Sequence, residues 1–500
     1  MNSDRGASSE AVPNLHRLRW RALSVGGANA FEYAMQFLLP VVLARCLDVL
    51  AFGHYRLLWL AVGTVMAVAS FAMAHSLYYF LPRSDRVTKR LYINQTLLFL
   101  TFTGLISGWA VSSWNPWLPG TMHGLLEHGT TVPAFVVLWV IASVLDSLPT
   151  VEERVIWQVN VTVGLASLRA AALSLAAILT RELGPVLLVL LGFVVLKIAL
   201  LLVYLARHHG LGGPILRLRR FREQVRYAAP FGAAGAIYDL RTRADQWVAA
   251  ALFPLGLFAS FSIAAILGTL IALFRKSVSS VFLPSMSRLQ AAGDLPGMLE
   301  LNSRANVMVA ALACPLAAFA FVFAEEVVTI VYTAAYIDAA PVMRIYVVGL
   351  MALIVELASI TFLLRRGPFV MGVNLIALVC AVPISWIAAQ HFGLAGAAAG
   401  SVIMIYLDRI VTLRYITRLT GVPLRRLQDW RTLGTFTLFA ALAATLTWWT
   451  VCHYFIVSGP FARIAAGTAI MAATYGLLMQ LLLSAGRNWL AVAGDARHGE

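Results

Sequence analysis

The sequence predicts an all-α membrane protein of about fourteen spanning helices, with two six-helix lobes around a central cavity and a C-terminal helix pair. Three observations predict it. Of 500 residues, 60% are hydrophobic and 12% charged, at a mean hydropathy of +0.81, far more apolar surface than one water-soluble core of this length needs. The apolar residues fall in runs of about twenty, the length a helix needs to cross a hydrocarbon core of roughly 30 Å. The Arg and Lys behind the formal net charge of +15 gather in short gaps between those runs. That is the distribution the positive-inside rule produces, so the charge reports topology and not a nucleic-acid partner.

The chain opens on a polar segment, 1–21, expected to be cytoplasmic. The first apolar run is long and followed by many others, so no cleavable signal peptide is expected and that run directs insertion itself. The N-lobe, 22–206, reads as six helices at 22–44, 55–81, 91–113, 132–148, 159–180 and 185–206. A hydrophilic break at 207–227, containing HHGLGGP and RLRRFREQVR, reads as an inter-lobe linker. The C-lobe, 228–415, gives helices at 228–253, 257–282, 305–324, 342–364, 369–390 and 394–415. A basic loop, 416–432, then leads to a final pair within 433–484 and a tail, 485–500.

Orientation follows from the gaps. RSDRVTKR (83–90), the linker, the RRG at Arg365 and RLTGVPLRRLQDWR (418–431) are basic and fall on one side, while the opposite gaps carry no Lys or Arg. The basic side, with both termini, is expected to be cytoplasmic. A weak internal echo supports two repeats: LARCLDVLAFGHY after the first helix has its counterpart in AALFPLGLFASF after the seventh, and both following helices end in Leu-Pro. Paired repeats of this kind place a transport site between them, near the midplane.

An ionisable side chain at the centre of a spanning helix costs about 2.5–3.5 kcal/mol on insertion scales, so each implies a partner or a hydrated cavity. Glu32, Arg169, Lys197, Asp239, Arg241, Arg243 and Asp245 lie near the expected midplane, and Asp146, Arg275, Lys276, Glu356, Asp408 and Arg409 nearer the cytoplasmic side. The seventh helix is densest, reading AIYDLRTRADQW. Asp239 with Arg243, and Arg241 with Asp245, stand at i,i+4 spacing, so two intrahelical ion pairs are one reading. The other turns Arg241 or Arg243 into a cavity to hold an anion, because a guanidinium matches phosphate bidentately. Arg169 and Lys197 add to the same field or pair with neighbouring acids. Glu32, Asp239, Asp245, Glu356 and Asp408 are candidates for ion coupling or for charge pairing.

No glycine-rich phosphate loop, HExxH or metal-spaced His/Cys cluster is present, and no soluble domain to carry chemistry, so neither an enzyme, a metal site nor a cofactor is expected. Cys46, Cys314, Cys380 and Cys452 are scattered and read as packed thiols.

Three stretches carry a family resemblance. NAFEYAMQFLLPVVLARCLDVLAFGHYRLLWLAVGTVMAV (29–68) with its LAR…FGxY core, YAAPFGAAGAIYDLRTRADQWVAAALF (227–253) with its embedded Asp245, and SVFLPSMSRLQ (280–290) resemble polysaccharide-repeat flippases of the Wzx type. These belong to the multidrug, oligosaccharidyl-lipid and polysaccharide exporter superfamily. The similarity spans about 21–418, with Ala259 where the repeat glycine is expected. The resemblance implies a bacterial inner-membrane flippase that moves undecaprenyl-pyrophosphate-linked oligosaccharide outward by alternating access, for O-antigen, capsule or exopolysaccharide. It implies that lipid-linked substrate and membrane lipids as partners, with a polymerase and a chain-length regulator, and no nucleic acid. Two relatives in the superfamily stand as alternatives, a peptidoglycan lipid-precursor flippase and a multidrug or cation antiporter; outside it stands a membrane-embedded glycosyl or acyl transferase.

Overall fold

Uninterrupted apolar runs become helices in the computed structural model, which describes residues 15–117, 120–210, 212–455 and 459–484. Most of segment 1–21 and the tail 485–500 thus lie outside the described residues, as do the side chains of Arg275 and Lys276. Every regular element among the described residues is helical. In order they are α1 (Leu15–Cys46), α2 (Val49–Ala69), α3 (Met73–Phe80), α4 (Arg86–Ala110), α5 (Thr131–Ala142), α6 (Val144–Val151), α7 (Val155–Thr180) and α8 (Leu183–His208). There follow α9 (Leu218–Leu252), α10 (Leu255–Ala264), α11 (Ile266–Ala291), α12 (Leu295–Val322), α13 (Ala324–Val331), α14 (Ala339–Leu353), α15 (Ala358–Leu363), α16 (Gly367–Thr420), α17 (Trp430–Tyr454) and α18 (Pro460–Ser484), with a few single turns between. Among the described residues nine helices are long and apolar enough to cross a membrane, and α10 and α14 are shorter apolar helices.

Each of the fourteen predicted runs carries helix, but several are interrupted where the sequence reads as continuous. The second run breaks between α2 and α3 at Phe71 and Ala72, whose φ values of 41° and 54° are left-handed. That conformation costs roughly 1–2 kcal/mol per non-glycine residue and needs support. Gly232 of α9 supplies it by close approach: a Cβ there would lie 2.6 Å from the Phe71 carbonyl oxygen. The tenth run separates into α14 and α15. The eleventh and twelfth are joined in α16, which reverses at Gly393 (φ 64°, ψ −148°). Its halves fold back so tightly that a Cβ on Gly396 would meet the Ala388 oxygen at 2.0 Å and one on Gly400 the Ser385 nitrogen at 2.5 Å. GLAGAAAG is thus a small-residue seam of the kind that lets membrane helices touch backbone to backbone. Helix starts on the basic side are capped: Asp85 accepts from the Val87 amide, Asp294 from Gly297 and Asp429 from Thr432.

The chain divides into two compact units, one of 1–48 with 61–235 and one of 49–60 with 236–500, so the boundaries fall inside α2 and α9. In the first unit α1 packs on α7, α4 on α5, and α5 on α8. Its core includes Leu77, Tyr92, Leu100, Leu148, Leu201 and Tyr204. In the second, α12 packs against α11 and α17, α14 against α16, and α17 against α18, around Ala310, Cys314, Ile354, Phe436 and Ala440. A smaller cluster of Ala244, Ala377, Ala381 and Met404 brings α9 close to both halves of α16. Those small side chains position the charged turns of α9.

Candidate functional site

The charged turns of α9 meet α14 and α16 within the second unit. Arg241 reaches across to α16, where Nη1 donates to Asn374 Oδ1 at 2.6 Å and both Nη1 and Nη2 donate to Asp408 Oδ2 at 3.2 Å. The pair is mostly buried, with side-chain exposures of 10% and 17%. Asn374 is fixed by its own amide, which donates to the Val370 carbonyl, and Thr412 donates to Asp408 Oδ1 at 3.3 Å. Arg241 does not pair with Asp245, as the i,i+4 spacing allows. The small-residue packing of α9 on α16 puts a carboxylate of another helix within its reach, and Asp245 turns instead toward α14. There its Oδ2 accepts from the Tyr346 hydroxyl at 2.9 Å and Oδ1 from the Gln246 amide at 2.8 Å, at 3% exposure. Asp239 and Arg243 do pair along α9, at 3.6 Å, and Arg243 also donates to the Asp239 carbonyl. This second pair is more open to its surroundings.

Glu356 belongs to another part of the same unit, the unwound residues between α14 and α15. Its backbone carbonyl accepts from Asn302 and Asn306 at 3.0 and 3.3 Å, and its amide donates to Asn306 Oδ1 at 3.1 Å. Asn306 also donates to Gln428 Oε1 at 3.0 Å. Peptide groups released from the helix are thereby satisfied, as an apolar medium requires. The carboxylate is buried; Oε1 accepts from the Ser359 amide at 3.1 Å, and Oε2 has no hydrogen-bond partner among the described residues.

In the first unit, Lys197 of α8 holds Asp146 of α6 with 2.8 Å to each carboxylate oxygen, and its ammonium lies 5.1 Å from the centre of the Trp139 ring. Arg169 of α7 is buried, its guanidinium 6.0 Å from the Phe193 ring centre. Glu32 of α1 accepts from Gln36 at 3.1 Å. At the end of α6, Glu152 accepts from the Tyr204 hydroxyl, and its Oε1 lies 2.8 Å from His209 Nε2. Burial pushes its carboxyl upward, but the His209 and Tyr204 hydrogen bonds outweigh that and hold it below its ordinary value. All four cysteines are unbridged, with Cys314 buried against Thr437. Among the described residues no group of three or more His, Cys, Asp or Glu could hold a metal ion.

Arg241, Asp408, Asp239, Arg243 and Asp245 are therefore placed by one unit and Lys197, Arg169 and Glu32 by the other, while Glu356 is held by its own group of hydrogen bonds within the second unit. Sequence reasoning passed over Asn374, Tyr346, Asn302 and Asn306, which do the holding. Each is a polar residue on an otherwise apolar helix face, and that was the available signal.

A family model described as lipid II flippase MurJ matches residues 160–465. No curated protein matches the sequence. Among solved structures, lipid II flippase MurJ in an inward closed conformation aligns at a TM-score of 0.67 and 12% identity, covering 91% of this chain and 98% of that one. An inward-facing multidrug resistance MATE family transporter of the MOP superfamily gives 0.60 at 14%, covering 78% and 94%. A MOP superfamily transporter from Pyrococcus furiosus, described as having a binding pocket of reverse polarity, gives 0.53 at 14%, covering 80% and 96%. At these identities the likeness establishes the fold, that of multi-pass transporters of this superfamily.

Proposed function

The chain belongs to the lipid II flippase MurJ family, and from that premise we propose that it moves an undecaprenyl-pyrophosphate-linked peptidoglycan precursor from the cytoplasmic to the outer leaflet. The observation that carries this reading is the family match over 160–465, which takes in the fifth to the thirteenth predicted helices and the charged site on α9. The chemistry of that site supports it. A pyrophosphate entering the membrane needs fixed cations, and Arg241 presents a fork already organised by Asn374. In this reading a phosphate oxygen displaces Asp408 from Arg241, Arg243 is released from Asp239 in the same way, and Lys197 and Arg169 are further candidates for holding the anion. The freed carboxylates, with the buried Asp245 and Glu356, are the groups that take up a proton or cation as the anion departs. An inside-negative potential favours the outward step by about 2.3 kcal/mol per net charge per 100 mV. Alternating access exposes the site to one side and then the other, with the termini cytoplasmic.

A second reading keeps the mechanism and changes the cargo to a polysaccharide repeat. It rests on the Wzx-like stretch 29–68, which lies outside the matched residues. Complementation separates the two. In a strain depleted of its own lipid II flippase, expression of this chain is expected to restore growth and wall synthesis, and Arg241→Ala to lose that rescue. Failure of the wild-type chain there, with rescue of a strain lacking a polysaccharide-repeat flippase, overturns the peptidoglycan assignment.

A further inference from the structure

Helix α2 carries a charge that its apolar sequence conceals. Arg56 lies about two turns into the helix, in the stretch 49–60 that belongs to the second unit. Its Nε donates to Ser262 Oγ at 3.0 Å and its Nη2 to the Ser262 carbonyl at 3.1 Å. Ser262 is itself buried and anchored, its hydroxyl donating to the Ala259 carbonyl at 2.7 Å. These contacts aim the guanidinium but neutralise nothing. Among the described residues no carboxylate lies within ion-pair distance of Arg56, and Nη1 has no hydrogen-bond acceptor. Lys197, Arg241 and Arg243 each have an acid instead.

Tyr332, just beyond α13, is 5% exposed and within electrostatic reach of Arg56; its hydroxyl makes no hydrogen bond among the described residues. Tyr332 belongs to an aromatic chain: its ring meets Tyr336 edge-on at 6.5 Å, Tyr336 meets Phe52 edge-on at 5.6 Å, and Phe52 stacks with Tyr55 at 6.4 Å. A fixed cation with one unused edge at Nη1 and a phenol whose hydroxyl has no acceptor among the described residues are thus neighbours beside an aromatic cluster. A cation placed at such depth is expensive unless an anion joins it. A guanidinium with an open edge is the group best matched to a phosphate oxygen, and a phenol adds a second donor.

We propose that Arg56 and Tyr332 form a binding site for a phosphate group, separate from the Arg241 site and near the outer end of α2. Resting on the transport reading above, the substrate's pyrophosphate occupies it late in translocation, after leaving Arg241. An anionic phospholipid headgroup offers the same chemistry. The test uses the full chain in phosphatidylcholine nanodiscs, with native mass spectrometry to titrate undecaprenyl pyrophosphate and, separately, phosphatidylglycerol. Arg56→Gln is expected to weaken binding at least tenfold, Tyr332→Phe several-fold, and Arg56→Lys less than Arg56→Gln. Weakening confined to undecaprenyl pyrophosphate assigns the site to substrate, and weakening confined to phosphatidylglycerol assigns it to the outer leaflet. Unchanged affinity for both lipids in Arg56→Gln and Tyr332→Phe overturns the site while leaving the flippase proposal intact. Conversely, a wild-type chain that binds phosphatidylglycerol through Arg56 but no undecaprenyl pyrophosphate keeps the site and overturns the transport reading. Should Arg56→Gln fail to fold, the conservative Tyr332→Phe decides.

Discussion

Arg241 and Asp408 stand 167 positions apart in the chain and form a mostly buried, hydrogen-bonded pair. Removing one partner of such a pair strands the other charge and costs about 3–5 kcal/mol, whereas replacing both with apolar residues of similar volume is close to neutral. Asp408→Ala is therefore expected to lower the unfolding temperature in detergent markedly, and Arg241→Met with Asp408→Leu to recover most of the loss while still abolishing transport. Additive single and double variants would contradict the pairing. Glu152 makes a pH prediction. Its folded carboxyl lies below its ordinary value, so its contribution is complete above the unfolded value of about 4.3 and is lost as pH falls through the lowered one. At neutral pH Glu152→Gln should be less stable than wild type, and the gap should close as pH falls through the lowered folded value; a gap independent of pH counts against this account. The embedded charges themselves were legible in the sequence, since each interrupts an apolar run. Their partners were not, because i,i+4 spacing along one helix says nothing of which neighbouring helix brings a carboxylate. Arg56 escaped notice at the edge of its run, where a cation reads as a boundary residue.

At the level of the helix, hydropathy located all fourteen runs but missed the breaks within them. A membrane helix that unwinds does so where other side chains satisfy its backbone, and Asn302 and Asn306, some fifty residues from Glu356 in sequence, supply that here. Asn306→Ala leaves the Glu356 amide without its acceptor, at about 1–3 kcal/mol for a buried group left unsatisfied, while Asn302 still serves the carbonyl. Thermal unfolding of Asn306→Ala beside Asn306→Asp checks it, the aspartate keeping the acceptor for the Glu356 amide and losing the donor. The α16 reversal is different, because its sequence announces it: GLAGAAAG combines a left-handed Gly393 with two close-approach glycines. Gly400→Val must move the backbone at Ser385 and is expected to cost more than about 2 kcal/mol, read as loss of a monodisperse peak in detergent. Gly434→Ala, with open space at its Cβ position, should leave that peak unchanged.

Across the whole molecule, composition and the spacing of basic gaps carried the fold class, and the superfamily resemblance placed the chain among lipid-linked exporters. The cargo was less legible. A Wzx-like opening pointed to polysaccharide repeats, while the match over 160–465 points to the peptidoglycan precursor, and both use one pyrophosphate-lipid chemistry that leaves the same cationic mark on the helices. The physical claim common to both is that a pyrophosphate lipid crosses the membrane through the Arg241 site. The most direct test reconstitutes the purified chain in proteoliposomes carrying fluorescent lipid II and follows its exposure to a membrane-impermeant quencher. The account predicts chain-dependent transbilayer movement, faster when the compartment holding the substrate is negative, and at least tenfold slower with Arg241→Ala. Movement no faster than in protein-free vesicles, or the same rate in the variant as in wild type, would contradict it.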